Sequence, residues 1–198
     1  MRTQEWPKGS LEQVVQDLVK SWEMELSHKT RAHHFKTIHP ENFRFSVNGG
    51  QWMNAEETLK VGSYNVLLRT SLKGEHEAYK AIEETFETSH DVFKSTFPGG
   101  FAWEVLEVYS GPPTVAFKWR HWGMMEGPFK GHAPTNDVVE SIGTCIAKVD
   151  ESLRITDLEV YYDPTQFLGQ LMKGAKSPQY VYKPGTIGCP FNKTDHSV

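Results

Sequence analysis

The chain has 198 residues, 38% hydrophobic and 23% charged, with a formal net charge of −4 at pH 7. That length suits one folded domain, and the balance is ordinary for a globular chain rather than a disordered one. An acidic balance without a basic stripe excludes a nucleic-acid footprint, and no apolar run approaches the ~20 residues that span a bilayer.

Leu11, Val14, Val15, Leu18, Val19, Trp22 and Leu26 fall on one stripe, which predicts a helix from Leu11 to His28. Ser10 with Gln13 three residues on is a capping box at its start. A strand is predicted over Phe43 to Val47, closed by the turn Asn48-Gly49-Gly50 and paired with Gln51-Trp52-Met53. Asn54 and Glu57 open a second helix that runs to Leu68. Tyr79, Ile82, Phe86 and Phe93 mark a third, from Tyr79 to Phe93, before Pro98-Gly99-Gly100.

The period then changes. Phe101–Tyr109, Thr114–Met124, Val138–Val149 and Leu153–Tyr162 read as four strands, with turns at Gly111-Pro112-Pro113 and Asp150-Glu151-Ser152. Asp163 caps a final helix with Pro164 at its first position and Gln166 completing the box; Phe167, Leu168, Leu171 and Met172 give it an apolar face. Helices followed by an antiparallel meander predict an α+β domain, a curved antiparallel sheet wrapped by N-terminal helices and enclosing a pocket. We therefore expect one domain over residues 1–174, with a helical lid inserted at about 54–98, and an irregular tail over 175–198 rich in Pro and Gly. The first residues lack the apolar core of a signal peptide, so a cytoplasmic protein is expected. Cys145 and Cys189 are too few for a disulfide scaffold.

Several segments resemble a known group. Val115 to Gly123, the loop Glu126-Gly127-Pro128-Phe129-Lys130-Gly131-His132-Ala133-Pro134-Thr135, the closing strand Ile155 to Asp163 and Phe167-Leu168-Gly169-Gln170-Leu171 look like the C-terminal part of SnoaL-like polyketide cyclases. Within that group, Trp22-Glu23-Met24-Glu25-Leu26, Tyr109-Ser110-Gly111-Pro112-Pro113 and Arg120-His121-Trp122-Gly123 resemble plant pathogen-related proteins. The resemblance implies the cone-shaped α+β barrel of nuclear transport factor 2 and ketosteroid isomerase. It also implies acid–base chemistry without metal or organic cofactor, in an apolar cavity beside a substrate carbonyl. A homodimer through the sheet face, which carries Trp122, is expected as well. Many relatives only bind a ligand, so fold alone assigns no chemistry.

Strand parity sorts the candidate residues. Leu158, Val160 and Tyr162 share one face of the closing strand and should face the cavity, with Glu159 and Tyr161 opposite. The inward positions thus lack the carboxylate or His that relatives often place there. Asp163, directly before Pro164, reads as a cap. On the Thr114–Met124 strand, Phe117, Trp119 and His121 point inward, and an imidazole in such a cavity exchanges a proton near neutral pH; the alternative is a core histidine bonded to a carbonyl. We take His121 as the catalytic base and Tyr162 as donor to the oxyanion. The remaining pocket residues are Trp119, Phe117, Leu158, Val160, Cys145, Trp22, Ser46 and Asn48. Cys145 is a small buried hydrophobe rather than a nucleophile, and Asn48 has turn chemistry as its alternative. His28, His33, His34 and His39 lack metal-ligand spacing. The expected function is a cofactor-independent isomerase or cyclase acting on a small hydrophobic carbonyl compound in specialised metabolism or defence. The alternative is a non-catalytic protein that binds such a ligand in the same cavity.

Overall fold

The computed structural model describes residues 2–180 except Ser71, Lys73, Glu75, His76 and Ala78. Most of the expected tail lies outside the described residues; its first part ends in a single 3-10 turn, Pro178–Tyr180.

Helix α1 spans Leu11–His28 as its stripe demands. Ser10 Oγ accepts from Gln13 N–H, but the Gln13 side chain turns back to Gly9 N–H, so only half of the box closes. Val15, Trp22 and Leu26 are buried against the sheet. Glu25 is buried too, and accepts hydrogen bonds from Lys36 N–H, Thr37 N–H and the Thr37 hydroxyl. Burial opposes its ionisation; the bonds from Lys29, Thr37 and Lys36 outweigh that and hold its carboxyl below the usual range. The chain leaving α1 is thereby fastened beneath it.

Strand β1, Arg44–Val47, pairs with the two-residue β2, Met53–Asn54, in the register Phe45 opposite Met53. The helix expected from Asn54 to Leu68 is two helices, α2 (Ala55–Val61) and α3 (Ser63–Leu67). Asn54 and Glu57 form the full box, and the break falls at Gly62, whose φ of 89° suits glycine. The third helix begins later than its apolar spacing suggests. α4 is Phe86–Thr96, opened by a reciprocal box of Thr85 and Thr88. Upstream, Ile82 is 93% exposed whereas Tyr79 is buried, its hydroxyl donating to Asn65 Oδ1. A strong cap outweighs a fortuitous spacing of apolar residues.

Strands β3 (Ala102–Ser110), β4 (Thr114–Met124), β5 (Val138–Val149) and β6 (Ile155–Tyr162) precede α5 (Pro164–Leu171). The sheet runs β2-β1-β6-β5-β4-β3, curved but not closed into a barrel. β1 lies parallel to β6, an exception to the antiparallel order expected. Register shifts in β3, after Val105 and after Val108, bend the edge strand. β5 alternates exposed and buried residues along its whole length. Its Gly143 is required by packing: a Cβ there would stand 2.4 Å from Trp119 Cζ2 and 2.5 Å from the Tyr161 carbonyl oxygen.

The opposite face holds a buried charge. Glu104 is fully buried and accepts from Thr3 N–H (2.8 Å), the Thr3 hydroxyl (2.9 Å) and Gln4 N–H (3.3 Å), with Arg120 Nη1 at 3.3 Å. Arg120 also bonds Glu140 and lies over the Trp122 ring. Trp122 is therefore only 7% exposed, covered by its own chain rather than left open for a partner as its strand position suggested. Among the described residues no helix is long and apolar enough to cross a membrane.

Two outcomes follow from these contacts. Burial disfavours ionised Glu104, but the bonds from Thr3, Gln4 and Arg120 prevail and hold its carboxyl below the usual range. A lowered native pKa means that its stabilisation is complete above the unfolded value of about 4.3 and is lost as pH falls through the native pKa. Glu104→Ala should cost about 3 kcal/mol in urea unfolding at pH 7, and the gap between wild type and Glu104→Gln should narrow in acid. Gly143→Ala should cost about 1–3 kcal/mol and alter tryptophan fluorescence, because Trp119 and the β6 backbone must both give way.

Candidate active site

On the concave face, β4 points Trp119 and His121 inward, and Ser141 lies opposite His121 on β5. The imidazole stacks on Phe101 with ring centroids 4.1 Å apart and meets the edge of Trp119 at 6.5 Å. Its Nε2 is 3.1 Å from Glu23 Oε1, a carboxylate delivered by α1. Its Nδ1 is buried and has no hydrogen-bond partner. In the neutral imidazole Nε2–H donates to Glu23, which leaves Nδ1 with a free lone pair. The sequence reading sought a carboxylate on β6 and missed Glu23. Its one signal was position: it follows Trp22 at the border of the apolar stripe, within the segment that resembles pathogen-related proteins.

His121 lines a cavity of about 60 Å³ with Trp119, Ser141, Phe101, Phe167, Tyr162 and the α3 residues Tyr64 and Leu67, Leu68 beyond them. The Tyr162 hydroxyl donates to the Leu67 carbonyl at 2.6 Å. Burial, with the Asp163 charge, pushes its phenol well above the ordinary value, so it keeps its proton. Burial and the charge of Glu23 likewise push Tyr64 up to about 12. The wall is thus aromatic, with one imidazole and two protonated phenols.

The other candidate residues lie elsewhere on the same face. Trp22, Phe117, Cys145 and Leu158 line a separate apolar chamber of about 130 Å³ under α1. Burial pushes the Cys145 thiol far up, which keeps it neutral. Val160 is buried in the core and lines neither space. Leu158 and Val160 are buried, whereas on the other face of β6 the Tyr161 hydroxyl bonds Glu159. Ser46 donates to the Gly50 carbonyl within the β1 turn. Asn48, at φ 52°, accepts from Tyr162 N–H and faces an open groove beside Arg69. Neither meets His121. Asp163 accepts from Thr165 N–H and Gln166 N–H as an exposed cap. Among the described residues no cluster of His, Cys, Asp or Glu is arranged to hold a metal.

No family model matches the chain. Solved structures similar to it include a candidate polyketide cyclase of Acidithiobacillus ferrooxidans, 13% identical, covering 86% of this chain and all of that one at a TM-score of 0.49. Another is a nuclear transport factor 2-like protein of Burkholderia thailandensis, 13% identical over 79% of this chain and 95% of that one, at 0.41. At such identity and TM-score these likenesses carry no argument about this chain. A pathogen-related protein of Hordeum vulgare is far nearer, 42% identical over 191 residues, which are 96% of this chain and 79% of that one. Identity of that order along nearly the whole length places this chain in the pathogen-related protein family.

Proposed function

We propose that the protein is a cofactor-independent isomerase or cyclase that acts by acid–base chemistry on a small hydrophobic carbonyl compound. One observation carries the reading: a buried, unpartnered imidazole Nδ1 in an aromatic cavity, with the opposite ring nitrogen 3.1 Å from Glu23. That arrangement fixes a tautomer and leaves an unpaired nitrogen base, closed over until a substrate opens the cavity, the relation of orienting carboxylate to base found in hydrolytic triads. Nδ1 takes a proton from the carbon beside the carbonyl, and Glu23 balances the imidazolium that forms. The electron pair moves onto the carbonyl oxygen. It then returns either to accept the same proton at another carbon conjugated with the enolate, an isomerisation, or to add to a second carbonyl carbon of the same molecule, whose π pair moves to its oxygen and takes the proton back from the imidazolium, a cyclisation. Tyr162 serves as oxyanion donor by exchanging the Leu67 carbonyl for the substrate oxygen. A cavity of about 60 Å³ is smaller than one aromatic ring requires, so substrate entry goes with displacement of α3, hinged at Gly62.

A second reading, a ligand-binding protein without turnover, draws support from the Tyr162 hydroxyl, whose proton is already committed to Leu67. A homodimer belongs to either reading. It would rest on Val138, Ile142 and Ile146 of the exposed β5 face, since Trp122 is covered. Light scattering at micromolar concentration should give twice the monomer mass.

Deuterium exchange in heavy water, followed by NMR over a panel of small apolar ketones, detects proton abstraction without knowledge of the product. His121→Ala should slow exchange by ~10²–10⁴-fold while the protein still folds. Glu23→Ala should slow it by a smaller factor, because the imidazole keeps its stack on Phe101 but loses its fixed tautomer. Asp163→Asn should change neither exchange nor folding much, since Asn caps as well as Asp. If wild type exchanges no ketone yet copurifies with an apolar ligand identified by mass spectrometry, the binding reading stands instead.

A further inference from the structure

We propose that the chamber between the first half of α1 and strands β4 to β6 is a second binding site. Its occupant is one uncharged apolar molecule of about the size of benzene. The chamber measures about 130 Å³, and its wall is built from Val15, Leu18, Val115, Phe117, Ala147 and Leu158 among others. No charged, carboxylic or amide side chain lines it. Its two groups with polar atoms offer water little. The Cys145 thiol is neutral, pushed up by burial, and Trp22 Nε1 is packed out of reach. A water molecule needs two to four polar partners to enter a cavity; lacking them, an apolar space near 150 Å³ stays dry and takes up benzene or xenon. Size and lining here match that case.

The mouth is apolar as well. Leu11, Val14 and Leu153 at its rim are 39, 48 and 49% exposed, although each is a large hydrophobe. An apolar molecule entering between them strips water from no polar group, so entry opposes binding little. The chamber shares no lining residue with the His121 cavity. Trp119, held against Gly143, stands between Phe117 and Cys145 on one side and His121 on the other. The site therefore goes beyond the acid–base reading and does not depend on it.

Thermal unfolding of the full chain with benzene or phenol as probe tests the site. Benzene should raise the melting temperature by a few degrees, through binding to the native state alone. Phenol at equal concentration should raise it less, because its hydroxyl finds no partner. Nuclear Overhauser contacts from benzene to the methyl groups of Val115 and Leu158 should locate it in the wild type. Ala147→Phe fills the chamber and should remove the shift; if that variant fails to fold, Val19→Trp fills it from the half-buried side of α1. His121→Ala should keep the shift, which separates failure of this site from failure of the catalytic reading. A melting temperature indifferent to benzene in the wild type overturns the proposal. So does a shift that survives the filling variants or vanishes in His121→Ala.

Discussion

Trp119 can lie against the sheet only because residue 143 has no side chain, and much of the concave face follows from that one allowance. With the indole held there, the space on the concave face falls into two compartments with no lining residue in common. On one side the walls are apolar and a proton has nowhere to go. On the other an imidazole is wedged between two aromatic rings with a carboxylate behind it. The chemistry available to each compartment is thus decided by a methyl-sized vacancy on the neighbouring strand.

The polar groups that fasten the helices obey a common economy. Glu25, Glu104 and Asn65 are buried, and each is surrounded by backbone or hydroxyl donors and acceptors that satisfy it. Such contacts add modestly to stability when complete and are costly to break. They hold the N-terminal arm, the turn after α1 and the α3–α4 layer at fixed places on the sheet. Glu84, bonded to both Thr88 and Lys130, extends the same fastening to the glycine-spaced loop. In the His121 cavity, by contrast, His121 Nδ1 and Trp119 Nε1 are buried without a hydrogen-bond partner.

Much of the fold was legible because its signals are local. α1, β4 and β5 have the bounds their periodicity gives; α1 buries one stripe, and β5 alternates exposed and buried residues throughout. The parity of β6 was equally readable, as was the cap at Asp163. Two of the expected helices failed for physical reasons. Tyr79, Ile82 and Phe86 mimic a helical stripe, yet the box at Thr85 starts the helix after them and leaves Ile82 in solvent. Gly62 divides one expected helix into two. Of the candidate site, the inward direction of His121 and Trp119 follows from alternation. Glu23 does not, because it meets its partner 98 positions away, and the position of α1 over the sheet is a tertiary result that no local pattern encodes.

The parallel pairing of β1 with β6 bears on how such a chain can be made. Arg44 meets Asp157 across 113 positions, so β1 leaves the ribosome long before the strand that will flank it exists. In that interval Phe43, Phe45 and Met53, all buried in the finished protein, have one two-residue ribbon for shelter. Pairings that span so much sequence form late and leave apolar segments open to the wrong partners meanwhile. The chain therefore depends, during synthesis, on whatever keeps its first third from associating until its last strand arrives.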